Sequence, residues 1–351
     1  MHALKDGHRD ACSVTKAIRC RSSLDLDQPE AEVLRACCEH LLAAETDDTY
    51  LDKALTTLVP LWQKEAAAVA PVQRDSGAEA KQRLETNEQL MRKLGHYQGG
   101  MVWFQGEWFW GLDRLDHLEQ LLIDTGLANS ATETPTYTRT WAGLASSARK
   151  LKADNPARQQ PLEIFFSIRS PYSHLGLERA VLLAAAWKIP LVIRPVLPML
   201  MRGQPVPGSK KWYIFHDTRR EADKLGIRYG FVADPLGAGV ERCYALSDYA
   251  RSEGREVQYM LNYARAVNAE GIRSETDSGL RIIVERSGLD WEHARTLPGN
   301  EDWRAWAEEN RKAMYGLGLW GVPGFRYGDT SCWGQDRLWR IEEAIQKKGG
   351  I

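Results

Sequence analysis

The sequence contains no C-x-x-C motif, and none of its cysteine spacings is typical of a zinc site. The absence of a closely spaced redox pair argues against thiol–disulfide exchange by the protein's own sulfurs. We therefore predict reduced structural thiols and no metal site. The 6 cysteines are Cys12, Cys20, Cys37, Cys38, Cys243 and Cys332.

An excess of one charge and a long hydrophobic run are also missing. The 46 basic and 47 acidic residues give a net charge of -1, which favours neither a nucleic-acid partner nor an anionic membrane. No apolar run approaches the ~20 residues that a membrane-spanning helix needs, and the first residues form no apolar signal segment. The sequence predicts a cytoplasmic protein, and its 351 residues suffice for two domains.

Residues 161–198 form the most informative stretch of the chain. An apolar run of strand length, 162–168, is followed by Ser170-Pro171, by apolar residues at helical spacing and by a second apolar run at 191–193. This order predicts a βαβ unit on a parallel sheet. Open α/β sheets carry their chemistry in the turn between the first strand and the helix. That turn contains Arg169, Ser170, Pro171, Tyr172 and Ser173.

The flanking segments have weaker patterns. Apolar spacing predicts helices from Pro29 onwards, and two aromatic runs around Gln105-Gly106 predict a β-hairpin within 101–110. Residues 1–28 show no periodicity, and we assign them no fold. The stretch 128–160 is rich in Thr, Ser, Ala and charge, which predicts a linker with one helix near 141–151. Later segments predicted to be helical are 210–225, most of 240–314, and 336–347.

The two ends of the chain match each other. Nine residues recur 223 positions later without a gap, which is typical of an internal repeat. We predict a partial first copy of a domain at 29–127, without the βαβ stretch, and a complete second copy at 161–351. Whether the first copy is truncated or naturally incomplete is left open. The matching residues are Met91, Leu94, Gly95, Trp110, Gly111, Asp113, Arg114, Leu115 and Glu119, with Met314, Leu317, Gly318, Trp333, Gly334, Asp336, Arg337, Leu338 and Glu342.

The order of motifs in the second copy resembles the DsbA-like thioredoxin-fold enzymes. S-P-Y-S opens a helix after a strand, a helical insertion follows, and G-V-P-G-F and W-G-Q-D-R-L precede the last helix. Within that group the chain is most similar to the 2-hydroxychromene-2-carboxylate isomerases and the kappa-class glutathione transferases. The resemblance implies an α/β thioredoxin-like fold with a helical insertion, glutathione as the cofactor and a small-molecule substrate.

The same resemblance implies roles for three residues at the centre of a glutathione site. Ser170, the first serine of S-P-Y-S, would hold the thiolate of bound glutathione in place of a redox cysteine. Pro323 is expected to be cis. This geometry would leave the backbone of Val322 available to pair with the cysteinyl unit.

Four further residues are implied at the two ends of the tripeptide. Gln335 and Asp336, at the start of the last helix, would grip the γ-glutamyl end. Lys210 or its neighbour Lys211 would meet a carboxylate of glutathione or of the substrate, and the sequence does not decide between the two lysines.

Each assignment has a structural alternative. Ser170 with Pro171 is a good N-cap and first-turn pair, and capping alone would explain the serine. Both roles can coincide, because a helix N-terminus supplies the N–H donors and positive potential that a thiolate needs. Asp336 would be favourable near a helix N-terminus without any ligand. The lysines fit solvated surface charge, and Tyr213, Asp217 and Arg220 share a helical spacing that suits a polar cluster.

We therefore expect a glutathione-dependent isomerase that acts by reversible thiolate addition to a conjugated aromatic ring-fission compound. A kappa-like glutathione transferase or peroxidase is the first alternative. A non-catalytic DsbA-like binding protein is the second, because Gly324 stands where Thr or Ser is usual and Cys332 where an aromatic residue is usual. The acceptor substrate is not indicated, and a homodimer is left open.

Overall fold

The computed structural model describes residues 29–62, 77–128, 134–135 and 151–350. The chain divides into two compact units, 1–138 and 139–351. Our predictions for residues 1–28 and for a helix over 141–150 lie outside the described residues. Within the described ranges, none of the helices is both long enough and apolar enough to cross a membrane.

The first unit combines helices with a small hairpin. Cys37 and Leu61 are buried between its first two helices, with Val33 and Leu34 packed against them. Its elements are α1 (Ala31–Ala43), α2 (Tyr50–Trp62), α3 (Gly77–Lys93), β1 (Met101–Phe104), β2 (Glu107–Trp110), a 3-10 turn (Gly111–Arg114) and α4 (Leu115–Asp124).

The predicted hairpin is confirmed. Strands β1 and β2 pair antiparallel, with Phe104 opposite Glu107 at the turn. Gln105 and Gly106 have φ angles of 48° and 87°, the left-handed backbone that a two-residue turn needs to match the strand twist. The indole N–H of Trp108 donates to the Leu94 carbonyl at 2.9 Å, which ties the hairpin to the end of α3.

The second unit is a mixed sheet covered by helices, and the predicted helical stretches are confirmed at 208–225 and over most of 238–316. Its elements are β3 (Leu162–Phe166), α5 (Pro171–Trp187), β4 (Leu191–Pro195), a 3-10 turn (Met199–Arg202), α6 (Gly208–Leu225), α7 (Ala238–Ala245), α8 (Ser247–Ser252), α9 (Glu256–Ala269), α10 (Asp277–Arg286), α11 (Trp291–Ala294), α12 (Trp303–Gly316), β5 (Gly324–Tyr327), β6 (Thr330–Trp333), a 3-10 turn (Gln335–Arg337) and α13 (Leu338–Gly349).

The sheet of the second unit has the order β4-β3-β5-β6. Strand β3 runs parallel to β4 and antiparallel to β5, so the predicted βαβ unit is confirmed. All five residues of β3 are buried, which agrees with its mainly apolar sequence, and the buried Glu163 forms an ion pair with Arg194. Because β3 is central, its carboxyl end delivers Ser170 to the middle of the sheet edge.

Part of the predicted linker packs against the second unit. Leu151 and Ala157 are buried in its core. The Asn155 side-chain amide donates to the Gly349 carbonyl at 3.0 Å, and the Tyr327 hydroxyl donates to the Ala157 carbonyl at 2.7 Å. Residues 151–160 therefore belong with the second unit, because their side chains cover the end of its sheet.

The two hairpins follow the spacing of the sequence repeat. Strands β5 and β6 have the lengths of β1 and β2 and lie 223 residues after them. Strand β5 pairs with β3 as well as β6, whereas β1 pairs with β2 alone among the described strands. An origin of the first unit as a partial copy of the second stays a prediction.

A buried carboxyl group links α5 to α13. The indole N–H of Trp187 donates to Oε1 of Glu342 at 2.7 Å, and Glu342 is only 1% exposed. Its Oε2 has no hydrogen-bond partner among the described residues. Burial raises the pKa of Glu342 from 4.5 to about 7, although the bond from Trp187 acts in the opposite direction.

Replacing Glu342 by Gln should remove a pH dependence of stability. The folded protein holds the Glu342 proton more tightly than the unfolded chain, so stability falls as pH rises from about 4.5 to about 7. We expect Glu342→Gln to raise the free energy of unfolding by about 1–3 kcal/mol at pH 8 and to leave it nearly unchanged at pH 4.5. Urea unfolding at pH 8 and pH 4.5 measures the free energy of unfolding. The control is Glu343→Gln, because Glu343 is the exposed neighbour of Glu342. Equal effects of the two variants would contradict the view that burial of Glu342 causes the pH dependence.

Candidate functional site

Ser170 caps the helix that follows the central strand. Its backbone is extended, with φ -83° and ψ 118°, and its Oγ accepts a hydrogen bond from the Ser173 N–H at 3.2 Å. Pro171 occupies the first helical position, where no N–H is needed. The predicted cap is therefore confirmed. The cap uses a lone pair of Oγ and leaves the hydroxyl hydrogen available to an acceptor at the partly exposed helix end.

Two cations lie near this helix N-terminus. Arg169 binds Asp234 through two hydrogen bonds of 2.7 Å. Burial raises the pKa of Asp234, but the hydrogen bonds and charge of Arg169 outweigh this and hold that pKa below its ordinary value, and the charge of Lys211 acts in the same direction. Lys211 thus lies within electrostatic range of Asp234, and no such link is seen for Lys210.

The histidine of the first turn adds no charge. The Nε2 atom of His174 lies 3.0 Å from the Arg228 carbonyl, which can only accept, so Nε2 carries the proton. Burial lowers the pKa of His174, which keeps the ring neutral at physiological pH. His174 thus positions the loop around Arg228 and contributes no cation beneath Ser170.

The tyrosine of S-P-Y-S is anchored to helix α6. The Tyr172 hydroxyl donates to Oδ2 of Asp217 at 2.6 Å, and Asp217 is fully buried. Arg220 forms an ion pair with the other Asp217 oxygen at 3.6 Å. The polar cluster predicted from helical spacing is confirmed for Asp217 and Arg220, and it extends to Tyr172, 45 residues earlier in the chain. This contact fixes the helical insertion against the S-P-Y-S turn.

The loop before β5 contacts helix α5 directly. The Val322–Pro323 peptide bond is cis, as predicted. A Cβ atom added to Gly176 would lie 3.0 Å from two side-chain atoms of Pro323. Only a glycine at this position lets the helix and the cis-proline loop approach so closely.

The backbone of Val322 is available for a ligand. Among the described residues, neither its N–H nor its carbonyl has a hydrogen-bond partner within the protein, whereas the Pro323 carbonyl accepts from the Gly334 N–H at 2.9 Å. An extended thiol peptide could therefore pair with Val322 as a short additional strand.

Two departures from the family pattern have packing reasons. A Cβ atom at Gly324 would lie 3.0 Å from Leu319 and 3.6 Å from Phe165, so the interior favours a small residue there. Cys332 is fully buried, and its thiol donates to the Arg337 carbonyl at 3.4 Å. Among the described residues, no contact joins Gly324 or Cys332 to the Ser170 turn.

The predicted ligand contact of Gln335 meets an obstacle in the structure. Its side chain is only 1% exposed, its Oε1 accepts from Arg179 at 2.6 Å and its Nε2 donates to Glu221 at 2.7 Å. These bonds hold the amide in the interior, so its burial argues against a side-chain grip on a γ-glutamyl group. Asp336 keeps a side-chain exposure of 11% and lies 3.3 Å from Arg337. The predicted γ-glutamyl contact of Asp336 stays a prediction.

The close approach of Gly176 and Pro323 places the cis-proline loop, with Val322, against the helix that Ser170 caps, whereas no contact between Ser170 and Lys210 or Lys211 is seen among the described residues. Sequence reasoning missed the Arg169–Asp234 pair and the buried Arg179. A signal for Arg179 existed, because a lone arginine within the apolar helix of residues 175–186 predicts a buried partner.

Comparisons with known proteins agree on the second half of the chain. The sequence model of the DSBA-like thioredoxin domain matches residues 161–346. A 2-hydroxychromene-2-carboxylate isomerase from Pseudomonas putida is 26% identical over 195 residues, which cover 52% of this chain and 93% of that protein.

A structure of 2-hydroxychromene-2-carboxylate isomerase has a TM-score of 0.46 at 26% identity and covers 53% of this chain and 95% of its own. A cytosolic disulfide reductase from Pseudomonas aeruginosa has a TM-score of 0.39 at 19% identity and covers 54% of this chain and 98% of its own.

Proposed function

Since this chain belongs to the DSBA-like thioredoxin domain family, as its motifs predict, we propose that it is a glutathione-dependent isomerase. The proposed reaction is of the kind named for the Pseudomonas putida relative, on a conjugated aromatic ring-fission compound. When bound, glutathione would supply a thiolate that adds reversibly to a conjugated double bond and leaves after rotation about the resulting single bond. The protein's own residues would bind, orient and activate that thiol.

Ser170 is the observation that carries the proposal. Its hydroxyl hydrogen is available at the N-terminus of α5, where N–H groups and the helix dipole favour an anion. Arg169 directly precedes Ser170, and Lys211 lies within electrostatic range of the Asp234 that Arg169 binds, so this region would supply a cation. Lowering a thiol pKa by about two units requires only about 2.7 kcal/mol of preferential thiolate stabilisation. A hydroxyl donor, a helix end and one cation together suffice for that amount.

The other proposed contacts are made to successive parts of the glutathione tripeptide. The unpartnered backbone of Val322 would pair with the cysteinyl unit, and cis-Pro323 would form the wall behind it. Asp336 would accept a hydrogen bond from the γ-glutamyl ammonium group. Lys211 would meet a carboxylate of glutathione. The proposed site therefore extends from the S-P-Y-S turn, at the start of α5, to the start of α13.

One observation favours a second candidate, a non-catalytic DsbA-like binding protein. The Gln335 amide is held inside the protein by Arg179 and Glu221, which removes one predicted contact to glutathione. Retention of the protein on immobilised glutathione separates the candidates at the level of binding. A product assay that follows isomerisation of a ring-fission acid and conjugation of an electrophilic halide separates an isomerase from a kappa-like transferase.

Calorimetric titration of glutathione into wild type and Ser170→Ala tests the proposal. A hydrogen bond to a charged group contributes about 1.5–3 kcal/mol, so the variant should bind glutathione about ten- to a hundredfold more weakly. It should also lose about 1 kcal/mol of stability, because the cap is removed.

The matched control is Thr276→Ala, which removes a cap of the same kind from α10. Thr276 accepts from the Gly279 N–H at 3.1 Å and lies on a helix that carries none of the proposed site residues. This variant should lose similar stability and bind glutathione like wild type. Unchanged glutathione affinity in Ser170→Ala, or no glutathione binding by wild type, would contradict the proposal.

A further inference from the structure

Arg202 lies at the edge of the sheet that carries the Ser170 turn. It ends the 3-10 turn Met199–Arg202 that follows β4, which is the parallel neighbour of β3. The Val196 N–H donates to the Phe166 carbonyl at 2.7 Å, so the two strands stay paired to their carboxyl ends. The chain after β3 leads to Ser170 and the chain after β4 leads to Arg202. The two residues therefore leave the same edge of the sheet.

Two neutral groups hold the Arg202 guanidinium in place. Its Nε donates to the Leu197 carbonyl at 3.0 Å, and its terminal NH1 donates to the Tyr315 hydroxyl at 2.9 Å. In contrast to Arg202, Arg194 and Arg311 form ion pairs with glutamates. Within the described part of the chain, no carboxylate oxygen lies within 4.0 Å of Arg202. Its charge is thus fixed in position and uncompensated.

The surrounding charges leave a net positive region. Glu308 lies within electrostatic range of Arg202, but both of its oxygens bind Arg311, at 2.7 Å and 2.5 Å. The Arg311 guanidinium is 5.1 Å from the centre of the Tyr315 ring. Burial raises the pKa of Tyr315, but the two arginines outweigh this and lower it below its ordinary value. An anion placed against Arg202 and Tyr315 would meet attraction from both sides.

A small core connects this region to the cis-proline loop. Val196, which directly follows β4, packs with Met314, Leu319 and Phe165, and Val322 packs against the same cluster. Tyr315 directly follows Met314 in α12, so the partner of Arg202 is adjacent in the chain to a residue of this core.

Exposed apolar side chains lie close to the pair along the chain. Leu200, two residues before Arg202, is 37% exposed, and Trp320, five residues after Tyr315, is 50% exposed. The Trp320 ring is tilted against Trp333, with 4.4 Å between centroids. An exposed indole and a fixed guanidinium suit a flat conjugated molecule that carries an anionic group.

We infer that Arg202, held by the Tyr315 hydroxyl, binds the anionic group of the acceptor and sets a preference for acceptors with a carboxylate. This inference rests on the proposed function, because it assigns the acceptor half of the same site. It also assigns this contact to a residue other than Lys210 and Lys211. The Tyr315 oxygen accepts from Arg202, so the phenol hydrogen is left to donate to the same carboxylate.

Calorimetry with trans-cinnamate and its methyl ester tests the inference without any need for turnover. The two probes share a flat conjugated frame and differ in the negative charge. Wild type should bind cinnamate at least about tenfold more tightly than the ester. Arg202→Gln should reduce cinnamate affinity to that of the ester and leave ester affinity within about threefold. Arg202→Lys should keep part of the preference, because it keeps the charge but loses the two-atom fork.

The control is Arg219→Gln, a solvent-exposed arginine paired with Asp223 on α6. It should bind both probes like wild type. Equal affinity of wild type for cinnamate and its ester, no cinnamate binding at all, or an unchanged preference in Arg202→Gln would overturn the inference. If Arg202→Gln fails to fold by circular dichroism, Tyr315→Phe carries the test. That variant removes the acceptor that holds Arg202 and should lower the preference at least about threefold, and an unchanged preference would overturn the inference.

Glutathione titration keeps the two proposals separate. If Arg202-dependent cinnamate binding persists while wild type binds no glutathione, the proposed function fails and the acceptor site stands. If glutathione binding depends on Ser170 while the preference for cinnamate over its ester is unchanged in Arg202→Gln, the acceptor assignment fails and the proposed function stands.

Discussion

An Arg179→Met variant should lose about 3–5 kcal/mol of the free energy of unfolding, the largest effect that we expect from one substitution. Arg179 is 4% exposed and donates to both the backbone carbonyl and the Oε1 of Gln335, at 2.5 Å and 2.6 Å. Burial lowers the pKa of Arg179 to about 10, although Glu221 and Asp336 act in the opposite direction. Its guanidinium therefore stays charged in the interior at neutral pH.

The loss arises from what remains after Arg179 is removed. Glu221 is 3% exposed and would lose the nearby charge of Arg179, although the Gln335 amide still donates to it. The two Gln335 oxygens would lose the donor that they share. Removing one partner of a buried charge network is costly, whereas a buried pair replaced on both sides often is not. The double variant Arg179→Met with Glu221→Gln should therefore recover part of the lost stability.

Urea unfolding at pH 7 measures the free energy of unfolding of wild type, Arg179→Met and the double variant. The dependence of that free energy on urea concentration should be the same for all three if each unfolds in two states. Arg219→Met is a matched control, because Arg219 pairs with Asp223 at the surface of α6 and should change stability little. If Arg179→Met unfolds within about 1 kcal/mol of wild type, the buried network does not have the role that we assign to it.

A Gly176→Val variant should lose about 1–3 kcal/mol of stability and most of the affinity for glutathione. Its first new atom would lie 3.0 Å from Pro323 and 3.1 Å from the Phe325 ring, and the two further methyl groups add to the overlap. The helix and the cis-proline loop must then separate. Separation would pull the Val322 backbone away from the Ser170 turn, so binding should fall more than the stability loss alone explains.

Thermal unfolding and glutathione calorimetry on the same samples measure both effects. The control is Gly208→Ala, a helical glycine at which an added Cβ meets nothing within 4 Å. It should be at least as stable as wild type, because alanine favours helix over glycine by up to about 1 kcal/mol. If Gly176→Val retains wild-type affinity, the close contact between the helix and Pro323 does not position the site.

Much of the site could be predicted because its signals are local. Ser170-Pro171 is readable as a helix start from two adjacent residues, and the apolar run of β3 is readable from its burial on both faces. The hairpin at Gln105-Gly106 follows from two residues that tolerate left-handed backbone, glycine above all. Motif order then led to the family that the comparisons establish for residues 161–346.

Contacts between distant segments could not be predicted. Tyr172 reaches Asp217 across 45 residues, and Arg179 reaches Gln335 across 156, although each side chain by itself suits a surface or a cap. Which of Lys210 and Lys211 lies within electrostatic range of Asp234 depends on which side of α6 faces that carboxylate, and residue type does not encode this. The same holds for the interior position of Gln335, which motif matching places at the ligand.

The sequence by itself determined the order of elements, the helix cap at Ser170 and the family of the second unit. Each of these depends on short-range steric and hydrogen-bonding preferences, or on a motif read along the chain. The tertiary structure alone decided which charges are neutralised and which remain. Arg169 is paired with Asp234 and Arg179 with Gln335, whereas both partners of Arg202 are neutral groups. Compensation of charge depends on distances between side chains from separate elements, and these exist only after the chain has packed.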